Sequence, residues 1–339
     1  MSEMSATVKT VGVIGLGLIG GSMALDLRRR GFAARMLGVE QDPVAAEAAR
    51  TIGLVDEVVS YEDCISRSDI IVVAVPVGTA VRMVPDILDR IDAGDTSLCG
   101  LVHPRTSVGG GARWIQVPEG DEGDNGRGRS EQSERSPAEG SITGSQIVID
   151  VCSTKVQVCR AVESHPKRGR FVSTHPMAGT EYSGPWAAQP GLFDGRACIV
   201  CDAEKSDKDA LQTIGELYAV LNMRLLQMPS AQHDMHAAYV SHISHVTSFA
   251  LALTVLDKEK DEKHIFDLAS GGFSSTVRLA KSNPDMWVPI LTQNKDNVLQ
   301  VMDTYIEKMR AFREAVAAGD EERIRQLIEE ANRIKRILR

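Results

Sequence analysis

Short apolar runs and helix-period segments alternate through the first half of the chain. Continuously apolar runs lie at 11–15, 36–39, 70–75, 147–151 and 171–174, with helical spacing at 22–30, 43–52 and 79–91. Strands apolar on both faces and separated by helices predict a doubly wound α/β domain with a parallel sheet covered on both sides. A further run at 197–200, a helix near 207–221 and a run at 224–228 extend that sheet.

From 230 onward the pattern changes, and nothing resembles a strand. Helical periodicity covers 235–256 and 295–317. Val298, Met302, Tyr305, Met309, Phe312 and Val316 repeat in steps of four and three, and after a turn at Gly319-Asp320 so do Ile324, Leu327, Ala331, Ile334 and Leu338. This heptad-like seam on two successive helices fits either an intrachain helical hairpin or a dimer interface. The expected organisation is an α/β domain over 8–229 and an all-helical domain over 230–339.

Residues 103–145 interrupt the alternation. Within them, 119–139 hold no Ile, Leu, Val, Met or aromatic residue, and 10 of the 21 are charged. Such a stretch buries too little apolar area to offset its ordering entropy, so a disordered surface insertion is expected.

Composition narrows the class. With 38 Lys and Arg against 46 Asp and Glu, the net charge of −8 argues against a nucleic-acid partner. No apolar run approaches the roughly 20 residues that span a bilayer. The first ten residues lack signal-peptide architecture, and six cysteines in 339 residues do not make a disulfide scaffold. A cytoplasmic enzyme without a membrane partner is the expectation.

The sequence VGVIGLGLIGGS at 11–22 carries the cofactor signal. Gly15, Gly17 and Gly20 form G-x-G-x-x-G between an apolar strand and a helix, the Rossmann-type fingerprint for a pyrophosphate. Glu40 follows the second strand 20 residues after Gly20, where an acid accepts from a ribose diol and repels a 2′-phosphate. No Arg or Lys lies between 36 and 49, so NAD is expected rather than NADP. The cofactor-binding set is Gly15, Gly17, Leu18, Ile19, Gly20 and Glu40, with Val75 and Pro76 at the end of a neighbouring strand.

The carboxyl ends of parallel strands are where ligands of such a sheet sit. Ser153 follows one strand in DVCSTK and His175 ends the next in THPMAG, so both should lie near the nicotinamide. A neutral His there can accept a hydroxyl proton as hydride leaves the same carbon. The helical half adds His233, His236, His242 and His245. No carboxylate or thiolate completes a compact ligand motif among them, and hydride transfer needs no metal, so none is expected. Cys198 and Cys201 read as core thiols. Arg278, after the Gly271-Gly272 pair and before Trp287, is a candidate carboxylate clamp.

Taken together and in order, VGVIGLGLIGGS, DVCSTK, THPMAGTEYSG, HDMHAAYVSHISH and GGFSSTVRLAKSNPDMW resemble the prephenate/arogenate (cyclohexadienyl) dehydrogenase family over about residues 11–297, without the 103–145 segment. The resemblance implies NAD-dependent oxidative decarboxylation of prephenate to 4-hydroxyphenylpyruvate in tyrosine biosynthesis. It implies His175 as acceptor for the ring hydroxyl with Ser153 as its polar partner, substrate-pocket roles for His245, Arg278 and Trp287, and a gating position for Glu181. It also implies a helical C-terminal domain that forms a homodimer. Ser244, Cys152 and Ser275 depart from residues common in the family, which leaves arogenate open as an alternative substrate. No chorismate mutase segment is recognised before Val11, and no regulatory domain is expected after Arg339. Two other readings fit the sequence less well. A hydroxy-acid dehydrogenase lacks its catalytic Lys motif here. A cofactor sensor without turnover does not account for His175, Ser153 and Arg278 together.

Overall fold

The computed structural model describes residues 9–92, 114–116, 146–262 and 264–337. Among the described residues nine strands form one sheet: β1 (Thr10–Ile14), β2 (Arg35–Val39), β3 (Glu57–Val58), β4 (Ile70–Val73), β5 (Trp114–Gln116), β6 (Ile147–Asp150), β7 (Phe171–Pro176), β8 (Ala197–Cys201) and β9 (Arg224–Met228). Their order is β3-β2-β1-β4-β6-β7-β8-β9-β5. Six helices connect them: α1 (Leu18–Arg29), α2 (Pro43–Ile52), α3 (Tyr61–Arg67), α4 (Val77–Arg90), α5 (Val156–Ala161) and α6 (Lys208–Val220).

The expected doubly wound core is present. Strands β1, β4 and β6 are buried along most or all of their length because helices cover both faces of the sheet. Local chemistry sets several helix ends. Asp42 accepts from Val44 N at 3.0 Å to start α2, and Ser60 accepts from Asp63 N at 3.1 Å to start α3. Each such cap contributes about 1 kcal/mol.

Two features depart from the expected sheet. Strand β8 runs antiparallel to β7, with His175 opposite Ile199, and β9 and β5 then follow β8 in parallel. An apolar run has the same composition whichever way it points, so the 197–200 pattern carried no direction. The second departure falls in the 103–145 segment. Trp114–Gln116 forms β5, with Trp114 opposite Leu225, which corrects the expectation of a wholly structureless insertion. Its Trp-Ile-Gln sequence suits a strand, and β9 would otherwise offer an unpaired edge. The rest of that segment lies outside the described residues.

After β9 the chain is helical, as expected: α7 (Ser230–Ala237), α8 (Ile243–Asp261), α9 (Gly271–Thr276), α10 (Pro284–Gln293), α11 (Lys295–Ala318) and α12 (Glu321–Ala331). A π turn at Ala238–His242 joins α7 to α8. The chain divides into two compact units, Met1–Asp234 with Lys281–Gln293, and Met235–Ala280 with Asn294–Arg339. The division differs from a single crossing at 229/230, because α10 belongs with the first unit, where it neighbours α4.

Among the described residues, the helical run Ser230–Asp261 is long and apolar enough to cross a membrane by length and composition alone. Ala, Ser, Thr and His, rather than charges, separate its aliphatic residues. Several large apolar side chains of the second unit are exposed, among them Leu253, Met309 and Val316.

Candidate active site

The dinucleotide cradle forms where β1 turns into α1, beside the point at which the strand order reverses. Gly15 has φ +96, and a Cβ on it would lie 2.5 Å from the Ala74 carbonyl oxygen. A Cβ on Gly20 would lie 2.0 Å from the Gly15 oxygen, so helix and turn approach only because both are glycine. A Cβ on Gly17 would meet nothing within 4 Å, which marks the open side of the turn. Leu18 and Ile19 begin α1, and no side chain caps its N-terminus. Backbone N–H groups facing open space at a helix start fit a pyrophosphate. Glu40 follows β2, its Oε2 accepting from Leu16 N at 3.1 Å and its Oε1 from Asp42 N at 3.2 Å. A carboxylate retains further lone pairs for ribose hydroxyls. Strand β4 stops at Val73, two residues earlier than expected, so Val75 and Pro76 lie in the turn before α4. The residues present fit NAD.

His175 is the penultimate residue of β7, and Ser153 lies half-buried just beyond the parallel neighbour β6. The imidazole of His175 is bonded to a residue far along the chain: His175 Nδ1 is 2.8 Å from His233 Nε2. His233 Nδ1 is in turn 2.8 Å from Asp234 Oδ1. Asp234 Oδ1 accepts the backbone N–H of Lys155 at 2.7 Å, and Oδ2 accepts that of Val156 at 2.9 Å, at the start of α5.

Beneath the imidazoles lies a buried ion pair. Lys155 Nζ donates to Asp150 Oδ2 and, at 2.6 Å, to the Thr174 carbonyl. Asp150 Oδ1 accepts from Ser173 Oγ at 3.0 Å and from Thr174 N at 3.3 Å. Burial opposes the charge on Lys155, but the Asp150 carboxylate together with Cys152 and Cys201 holds the ammonium above its ordinary range. The pair ties the ends of β6 and β7 together, which fixes the backbone that carries His175. Sequence reasoning missed Asp150, Lys155, His233 and Asp234 as one assembly. The His-Asp dipeptide and the DVCSTK motif were visible, but nothing local linked them.

The histidines of the helical half disperse to separate partners. His242 Nδ1 is 3.2 Å from Asn294 Nδ2, and His245 Nδ1 is 3.1 Å from the Ser241 carbonyl oxygen. Among the described residues no group of three or more His, Cys, Asp and Glu gathers as a metal set. Cys198 and Cys201 are buried free thiols in β8, as expected of core residues.

The second unit brings together two expected site residues. His245 on α8 is half-buried, and burial and then the nearby Arg278 cation lower its pKa against a favourable bond to Ser241. Arg278 is exposed at the start of a short turn after α9. Trp287 is buried on α10, in the first unit. Glu181 lies in the β7–β8 connection, where it lines a cavity of about 520 Å³ with Tyr182, Trp186 and Gln189.

Known proteins similar to this chain point to one family. A family model described as the nucleotide-binding domain of prephenate dehydrogenase matches residues 23–96 and 137–227. A second, the dimerization domain of prephenate dehydrogenase, matches residues 229–330. The Bacillus subtilis prephenate dehydrogenase is 26% identical over 326 residues, covering 96% of this chain and 74% of that protein. The structure of prephenate dehydrogenase from A. aeolicus, in complex with hydroxyphenyl propionate and NAD+, gives a TM-score of 0.74 at 24% identity, covering 98% of this chain and 99% of that one. Synechocystis arogenate dehydrogenase gives 0.66 at 23% identity, covering 96% and 98%. These two likenesses establish the fold.

Proposed function

The chain belongs to the prephenate dehydrogenase family, and on that premise we propose that it catalyses the NAD-dependent oxidative decarboxylation of prephenate to 4-hydroxyphenylpyruvate. The observation that carries the reading is His175, at the carboxyl end of β7 with Nδ1 bonded to His233. That bond turns the ring so that Nε2 is the nitrogen for the substrate.

Gly15, Gly17, Leu18, Ile19 and Gly20 hold the pyrophosphate, Glu40 the adenosine ribose, and Val75 and Pro76 the flank of the nicotinamide half. NAD, when bound, is the acceptor of the hydride that leaves the hydroxyl-bearing ring carbon. His175 takes the hydroxyl proton at Nε2, and Ser153 orients that hydroxyl. The C–C bond to the ring carboxylate breaks, CO2 departs, and its electron pair completes the aromatic ring as a phenolate, which takes the proton back from His175 Nε2. Arg278 clamps a substrate carboxylate, with His245 beside it, and a guanidinium suits that role because it offers two parallel N–H donors. Trp287 forms pocket wall and Glu181 controls entry.

The seam on α11 and α12 supports a homodimer as the working form. Met309 and Val316 are 52% and 64% exposed in the single chain, within the region matched by the dimerization-domain model.

Appearance of reduced cofactor with prephenate or arogenate, each with NAD or NADP, tests the reading. Fastest turnover with prephenate and NAD is expected. Turnover with arogenate alone shifts the substrate to the amino acid, and no turnover with either overturns the proposal.

A further inference from the structure

We propose that Asp234 and His233 are positioning residues that fix which nitrogen of His175 carries its proton. The proposal rests on the reading of His175 as proton acceptor. Both oxygens of Asp234 already accept backbone N–H groups, from Lys155 and Val156. In the 2.8 Å contact with His233 Nδ1 the ring therefore donates and the carboxylate accepts. A neutral imidazole protonated on Nδ1 has only a lone pair on Nε2. His233 Nε2 must then accept, and its donor at 2.8 Å is the Nδ1–H of His175. The lone pair of His175 is left on Nε2, the atom that meets the substrate hydroxyl. The opposite tautomer would present an N–H there and could take no proton.

The chain of bonds requires a neutral His233, and its surroundings supply one. His233 is 3% exposed, and burial lowers its pKa from the ordinary 6.5 despite the carboxylate of Asp234 on its own helix. From the β6 end, Lys155 disfavours the charge and Asp150 favours it. Once His175 is protonated, its Nδ1–H still points to His233, and the Asp234 carboxylate behind stabilises the imidazolium. A buried acid that orients a catalytic imidazole works in the same way in serine proteases, there with one ring rather than two.

The test uses the full-length protein, steady-state kinetics with prephenate and NAD across pH, and thermal melts of the same samples. His233→Leu removes the acceptor for Nδ1–H, and His233→Gln restores one through its amide oxygen. His233→Leu is expected to lower kcat on the order of 10²-fold with KM for NAD unchanged. His233→Gln is expected to recover most of that loss. The acid limb of kcat/KM should move to lower pH in His233→Leu, because the imidazolium of His175 loses its support. Asp234→Asn should move it the same way. Since Asp234 also caps α5, ring 15N shifts of His175 in the substrate-free wild type give a reading that depends on no variant's folding. Protonated Nδ1 and bare Nε2 are expected. This reading needs no turnover, so it judges the relay separately from the choice of substrate. An Nε2–H tautomer in the wild type overturns the proposal. So does a His233→Leu protein whose kcat and acid limb match the wild type, even with a lowered melting temperature.

Discussion

One ring nitrogen carries the proposed acid–base step, so His175→Asn should lower turnover by about 10²-fold or more. NAD affinity, read by cofactor titration, should hardly change, because the cradle lies on other strand ends. Arg278 acts on binding instead. Arg278→Lys and Arg278→Ala should both raise KM for prephenate tens-fold, roughly 2 kcal/mol, since an ammonium replaces a bidentate fork poorly. The melting temperature should hold, because Arg278 is exposed; a lowered melt with unchanged KM would make it a structural tie. Glu40→Ala should narrow the preference for NAD over NADP, measured as the ratio of catalytic efficiencies, by removing both an acceptor and a repulsion. His175 and Glu40 stood out in the sequence because each ends or follows an apolar run and sheet topology makes strand ends the place for ligands, whereas Arg278 stood out by the Gly271-Gly272 pair before it and Trp287 after it. His233 was not, because it lies 58 residues from His175 and only the return of the chain through β8, α6 and β9 brings them together.

Elements were legible where periodicity alone decides them. The range 43–52 matches α2, and 224–228 matches β9, since Asp42 and Gly53 punctuate the one and turn residues bound the other. Direction and short pairing were not, as β8 and β5 show, because both depend on which edge is open after the rest has assembled. The seam behaves as two regions. Val298 and Leu327 are 5% and 8% exposed within the chain, whereas Tyr305 and Met309 are 42% and 52% exposed. The first pair is buried within the chain, and the second fits the surface of a second copy. A Met309→Glu, Val316→Glu protein should therefore keep its helical circular dichroism and fall to monomer mass in light scattering. Dimer mass in that protein would place the interface elsewhere.

At the scale of the molecule, the nucleotide-binding family match passes over residues 97–136, and 119–139 carry no Ile, Leu, Val, Met or aromatic residue. Replacing 119–139 by a short Gly/Ser linker should leave the melting temperature nearly unchanged and turnover within about twofold, since loop length costs only logarithmically. Loss of the folded protein would show that the segment is structural. The two-part organisation was legible in the change of pattern at 230, but the membership of α10 was not, because a helix looks the same in either unit. Its placement has a practical consequence for dissecting the chain. The polypeptide passes between units at 234/235, 280/281 and 293/294. A protease that nicks one crossing releases neither unit, because the severed pieces stay joined through the others or through their fold. A gene fragment ending at 229 would encode a nucleotide-binding unit that lacks α10 and leaves α4 without that neighbour. The smallest such fragment that keeps every element of its unit must also carry 235–280, which belong to the other.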